Sequence, residues 1–111
     1  MVIVLLGVAA DGTAEAARML AGRLGWTCEV VGRGDDVRAM AVHALDRREP
    51  LVLAWPSVDV GHAADVLAGL RPVRFVAFQS SPEPLPFQAL AVDAAADVDV
   101  LVGLVRMEFG L

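Results

Sequence analysis

Asp11, Gly12 and Thr13 stand together in one break between apolar runs, and Ser57, His62 and Ser80 stand in later breaks of the same kind. A hydroxyl, a carboxylate and a glycine that leaves its backbone open to approach are residue types that can contact a small charged ligand. Their setting sharpens the point. Val2-Ile-Val-Leu-Leu6 runs into Gly7-Val-Ala-Ala-Asp-Gly12, and Thr13-Ala-Glu-Ala-Ala17 then opens a helix ending near Leu24 and Gly25. A buried strand, a glycine-bearing turn and a helix N-terminus bring free N–H groups and the positive end of the helix dipole to one place. If any small anion binds, it is therefore expected at the N–H groups of Gly12 and Thr13, with Ser57 and Ser80 as second contacts. Asp11 works against this. At about 4 Å and an effective dielectric near 20, each like-charge pair costs on the order of 4 kcal/mol.

Other chemistries lack parts. His62, with Asp59 and Asp11, makes a thin set for a metal, which needs several convergent ligands, and it is expected as a solvated residue in the first turn of a helix. His43 is expected on the surface. Asp11 and Asp59 could form an acidic pocket for phosphoacceptor chemistry, but that chemistry also needs a lysine, and the chain has none. No Ser/His/Asp or Cys/His nucleophile arrangement is complete. The single Cys28 cannot form an internal disulfide and is expected as a buried, inert thiol. Side-chain catalysis thus ranks behind binding.

The elements that position these residues follow from length and pattern. At 111 residues, residues 1–111 read as a single domain. A hydrophobic share of 57%, mostly Val and Ala, suits a parallel sheet buried on both faces. Trp26-Thr-Cys-Glu-Val-Val31 is a short β-rich run, and Asp35 or Asp36 caps a helix with Val37, Met40, Ala41, Ala44 and Leu45 on one face. Leu51-Val-Leu-Ala-Trp55 is a third strand, ended by Pro56. Asp59 can cap a third helix through Ala63, Val66, Leu67 and Leu70, and Val73-Arg-Phe-Val-Ala-Phe78 is a fourth strand. After the proline-rich loop from Gln79 to Pro86, the spacing of Phe87, Leu90, Ala91, Ala94, Ala95 and Val98 is helical. Val100-Leu-Val-Gly-Leu-Val105 continues that helix or, after a break at Asp97 and Asp99, forms a fifth strand. Strict βαβα alternation with short connections implies a three-layer α/β/α sandwich around a parallel sheet of four or five strands.

Gly12-Thr-Ala-Glu-Ala-Ala17, just after a strand, resembles the phosphate-loop-and-helix segment of flavodoxins, especially the FMN domains of diflavin reductases. Leu70-Arg-Pro-Val-Arg-Phe-Val-Ala-Phe78 is similar to their fourth strand, and Phe87-Gln-Ala-Leu-Ala to Val92-Asp93 resembles the helix that follows. The resemblance implies a flavodoxin-like, doubly wound sheet of order 2-1-3-4-5. It implies a cofactor site at Asp11, Gly12, Thr13, Trp55, Ser57 and Ser80. The departures lie in that site. Val8, Ala9 and Ala10 replace the hydroxyl residues that would hold the FMN phosphate, and the loops after strands three and four carry no aromatic to sandwich the ring. Separately, Gly61-His62 beneath an apolar strand resembles the small tetrapyrrole cobaltochelatases, whose second histidine is missing here.

Two functions are therefore expected. One is a flavodoxin-like domain without its cofactor, acting as a non-catalytic binding or assembly module. The other is a minimal FMN-binding, electron-transferring flavodoxin. A net charge of −5 gives no electrostatic basis for nucleic acid or an anionic membrane. With no signal peptide or membrane span in the opening residues, the chain is expected in the cytoplasm. A homodimer is expected through Val98 to Leu111: a fifth strand there leaves a sheet face bare, whereas a helix there would cover it and weaken the drive to pair. A protein partner is the other candidate.

Overall fold

The computed structural model describes residues 1–7, 12–32, 34–56, 60–79, 89–93 and 97–111. Five strands, β1 (Val2–Gly7), β2 (Thr27–Val30), β3 (Leu51–Pro56), β4 (Val73–Gln79) and β5 (Leu90–Asp93), form one sheet. All its pairings are parallel. The helices are α1 (Thr13–Leu24), α2 (Val37–Asp46), α3 (Val60–Val66) and α4 (Val98–Phe109).

The sheet order is β2-β3-β1-β4-β5. This corrects the flavodoxin-like order 2-1-3-4-5. β3, not β2, lies beside β1, so the crossover through α1 passes over β3 before β2 is laid down at the edge. The composition of the strands agrees. β1 is Val-Ile-Val-Leu-Leu-Gly with all six residues buried, as a strand enclosed on both sides and both faces must be. β2 is Thr-Cys-Glu-Val with no residue fully buried, which suits an edge.

Alternation along the strands divides the core. Ile3, Leu5, Val52, Ala54, Val76 and Val92 join Ala17, Leu20 and Ala21 of α1 and Leu101, Val102 and Val105 of α4. Val2, Val4, Leu6, Leu51 and Leu53 join Val37, Ala41 and Ala44 of α2 and Ala63 of α3. Helices on both faces are compatible with three-layer packing. Each fully buried Leu or Ile in these clusters contributes roughly 1.5–3 kcal/mol.

Two elements differ from their sequence reading. Leu90–Asp93, expected within a helix, is the edge strand β5, paired with β4 from Val76↔Leu90 to Gln79↔Asp93. Leu90 and Val92 pack on the α1 side of the sheet, a period of two that the flanking alanines disguised as helical spacing. The segment expected as a fifth strand after Asp97 and Asp99 is helix α4. Asp97 does mark the break, as its side chain accepts a hydrogen bond from the Val100 N–H at 3.0 Å. That is an N-cap, and Leu101, Val102 and Val105 then face the sheet at helical spacing, overriding the β preference of the valines. α4 therefore covers the sheet beside α1, and the bare face offered as the reason for dimerisation does not exist. Among the described residues, no helix is long and apolar enough to cross a membrane.

Candidate functional site

β1 ends at Gly7, which stands in register with Pro56 on one side and Phe78 on the other. The chain then reaches Gly12, the N-cap of α1, whose φ of 96° lies in the left-handed region. A side chain at that φ is strained although a Cβ there would meet nothing within 4 Å. Glycine is needed here for backbone conformation, not for space.

Gly12 gives α1 no side-chain cap, whereas Asp36 caps α2 through the Ala39 N–H at 3.0 Å and Asp97 caps α4. The start of α1 lies at the carboxyl end of the central strand. β1 leaves toward α1 on one face of the sheet, while its neighbour β3 leads to α3 on the other. Departures to opposite faces make the crevice where open α/β sheets take ligands.

Gly12 is exposed, and Thr13, at 4% relative exposure, is buried as the first residue of α1. Thr13 already has an interaction partner. Trp55 is half-buried against the core formed with α2 and α3, across the sheet from α1, and does not join Gly12 and Thr13. The indole makes an edge contact with the His62 ring, centroids 6.0 Å apart and planes at 61°. His62 is exposed in the first turn of α3, and His43 is exposed on α2. Asp11, Ser57, Ser80 and Asp59 lie outside the described residues. Among the described residues, no group of three His, Cys, Asp or Glu could hold a metal ion. Cys28 is half-buried, and desolvation raises its thiol pKa above the ordinary value, only partly offset by the nearby Arg18.

No family model and no curated protein sequence matches the chain. Solved structures do. A gluconokinase from Sinorhizobium meliloti 1021 aligns over 97% of this chain and 93% of its own, at 16% identity and a TM-score of 0.63. A sugar kinase from Janibacter sp. HTCC2649 aligns over 98% and 94%, at 13% identity and a TM-score of 0.71. A de novo designed protein of P-loop NTPase fold aligns over 99% and 91%, at 12% identity and a TM-score of 0.60. At these identities the likeness is one of fold.

That likeness, with the strand order, overturns the flavodoxin relationship. It also removes the two functions drawn from it, the cofactor-less flavodoxin-like module and the FMN electron carrier. The alanine-rich helix start and the apolar fourth strand that suggested flavodoxin are common to parallel α/β folds, whereas the position of β3 is not.

A sequence signal for the fold was present. Gly7 and Gly12 enclose four residues directly after the first strand, the spacing of the glycines in the phosphate-binding pattern G-x-x-x-x-G-K-[ST]. Its two remaining positions hold Thr13 in place of lysine and Ala14 in place of Ser or Thr. Without the lysine, the spacing of two glycines is too common to stand out.

Proposed function

We propose that this chain is a kinase-like nucleotide-binding domain that takes nucleotide phosphates at the start of α1. The observation that carries this reading is the left-handed Gly12, a cap residue without a side chain, at the start of α1 and the carboxyl end of the central strand of a 2-3-1-4-5 sheet. Backbone N–H groups and the helix dipole supply the attraction. The names of the two natural neighbours, a gluconokinase and a sugar kinase, favour phosphoryl chemistry on a nucleotide over flavin chemistry.

The residues do not fit the magnesium ion of such sites. Ala14 offers no oxygen where the pattern places a hydroxyl ligand, and β3, beside β1, is Leu-Val-Leu-Ala-Trp-Pro with no carboxylate. Nothing at Thr13 replaces the lysine charge. The chain thus holds phosphate by backbone donors and dipole alone, and Asp11 lowers the affinity as ligand charge rises. The same reading places the protein in the cytoplasm, where nucleotides are abundant.

The test is a titration of ADP and ATP, each with magnesium and with EDTA, followed by amide chemical shifts. Gly12 and Thr13 should shift with millimolar or tighter midpoints, unaffected by EDTA, and ADP should bind at least as tightly as ATP. Amides of α1 that do not respond to either nucleotide at ten millimolar would refute the reading.

A further inference from the structure

Helix α4 has two unlike faces. Leu101, Val102 and Val105 are buried against the sheet. Val100, Gly103 and Met107 follow at intervals of three and four, one stripe by helical geometry, with Val100 48% and Met107 75% exposed. Among the described residues, the other large exposed apolar side chains are Met19 on the adjacent α1, Leu111 just past α4, and Val30 on the edge strand β2. Four of these five therefore lie on or beside the two helices of one sheet face.

Gly103 sits in the middle of that stripe. A Cβ built there meets nothing within 4 Å, so the packing of the chain itself does not call for glycine, a residue that weakens a helix interior. A bare backbone at the centre of an exposed apolar stripe is what close approach of another helix uses.

Charge selects what approaches. The chain as a whole carries −5, yet α1 and α4 hold Glu15, Arg18, Arg23, Asp99, Arg106 and Glu108, three of each sign. Asp99 and Arg106 stand two turns apart on the flank facing α1. The Asp99 carboxylate pairs with the Arg23 guanidinium at 2.9 Å, and Arg106 Nη2 donates to the Arg23 carbonyl at 3.3 Å. A half-turn about an axis through Gly103 would set the Asp99 of each copy against the Arg106 of the other. It would also run the two helices antiparallel, with their dipoles opposed. The Asp99 side chain stays 74% exposed beside Arg23, so its carboxylate can take a second guanidinium, and the flank is complementary to itself.

We propose that the protein forms a two-fold dimer in which α4 packs antiparallel on α4 of a second copy, with Gly103 at the centre and Met107 of each against Val100 of the other. A closed, isologous pair of this kind is the commonest form of oligomer. The proposal is independent of the nucleotide reading, because the stripe lies on the outer side of α4.

Sedimentation equilibrium between 1 and 100 µM tests it, with circular dichroism confirming that each variant is folded. The wild-type mass should be that of a dimer. Met107→Glu should raise the dissociation constant at least tenfold, and so should Asp99→Arg or Arg106→Asp alone. The triple variant Arg23→Glu/Asp99→Arg/Arg106→Asp should recover the dimer, because the pair within each chain and the pairs between copies are restored with their signs exchanged. A monomeric wild type throughout the range overturns the proposal, as does a dimer that Met107→Glu leaves intact. A triple variant no better than the single ones overturns the antiparallel pairing.

Discussion

Arg38 of α2 reaches across to the end of α3, its Nη1 lying 2.9 Å from the Val66 carbonyl oxygen and 2.9 Å from that of Ala68. These carbonyls stand at the C-terminal turn of a seven-residue helix too short to be stable alone. A guanidinium there satisfies acceptors that the helix leaves open and matches the negative end of its dipole. Arg38→Ala should cost about 1 kcal/mol, below the usual range for charged hydrogen bonds because the group is exposed. That corresponds to a fall in Tm of roughly 4–8 °C for a domain of this size. A thermal melt reads it, and Arg38→Lys should recover part of the loss.

Gly12→Ala should destabilise the fold by about 1 kcal/mol, because an L side chain is strained at a φ of 96°. Gly12→Asn should cost less, since Asn tolerates the left-handed region better. A clash would penalise the two alike. Among the described residues nothing lies within 4 Å of a Cβ at Gly12, which points to backbone strain, and urea unfolding of both variants separates the two explanations.

The phosphate reading makes charge at the turn decisive. Asp11→Asn should strengthen ATP binding at least tenfold and ADP binding less, because ATP carries more negative charge. The change removes a repulsion of up to a few kcal/mol per close pair. Ala14→Ser should give ATP binding a magnesium dependence that the wild type lacks. Calorimetry with and without EDTA measures both.

Asp97→Ala removes the acceptor for the Val100 N–H and should cost about 1 kcal/mol, as loss of a helix cap does. Exchange of the amide hydrogens in the first turn of α4 should quicken before that of the rest of the helix. Uniformly faster exchange over the whole chain would count against a local cap.

Burial raises the Cys28 thiol pKa, so the folded protein should react with iodoacetamide more slowly at pH 8 than the unfolded chain does. The sign follows from which form burial disfavours. The protonated thiol is accommodated, so this contribution to stability is complete below the unfolded pKa and fades as the pH rises through the folded one. No pH dependence of stability near neutrality should trace to Cys28. A rate profile against pH, with and without urea, checks this.

The sequence by itself determined most elements: the strand at Val2–Leu6, the helix opening at Thr13 and closing at Gly25, the cap at Asp36 and the break at Asp97. These depend on local causes, such as a glycine's allowed φ, a carboxylate's reach to an N–H, or an apolar period of two or 3.6. It also placed a strand, a glycine and a helix N-terminus consecutively at residues 2–13, an arrangement the structure keeps. Tertiary structure decided three other matters. Whether β2 or β3 lies beside β1 depends on which strands can be enclosed on both sides, and Thr27-Cys-Glu-Val30 cannot bury Glu29. The state of Leu90–Asp93 and of Val98–Phe109 turned on which segment could complete the sheet beside β4, since the valines of both suit either state. The likeness of fold followed from that order. The spacing of Gly7 and Gly12 gains meaning only once β3 lies between β1 and β2, because four residues between two glycines carry little information without the lysine that the chain lacks.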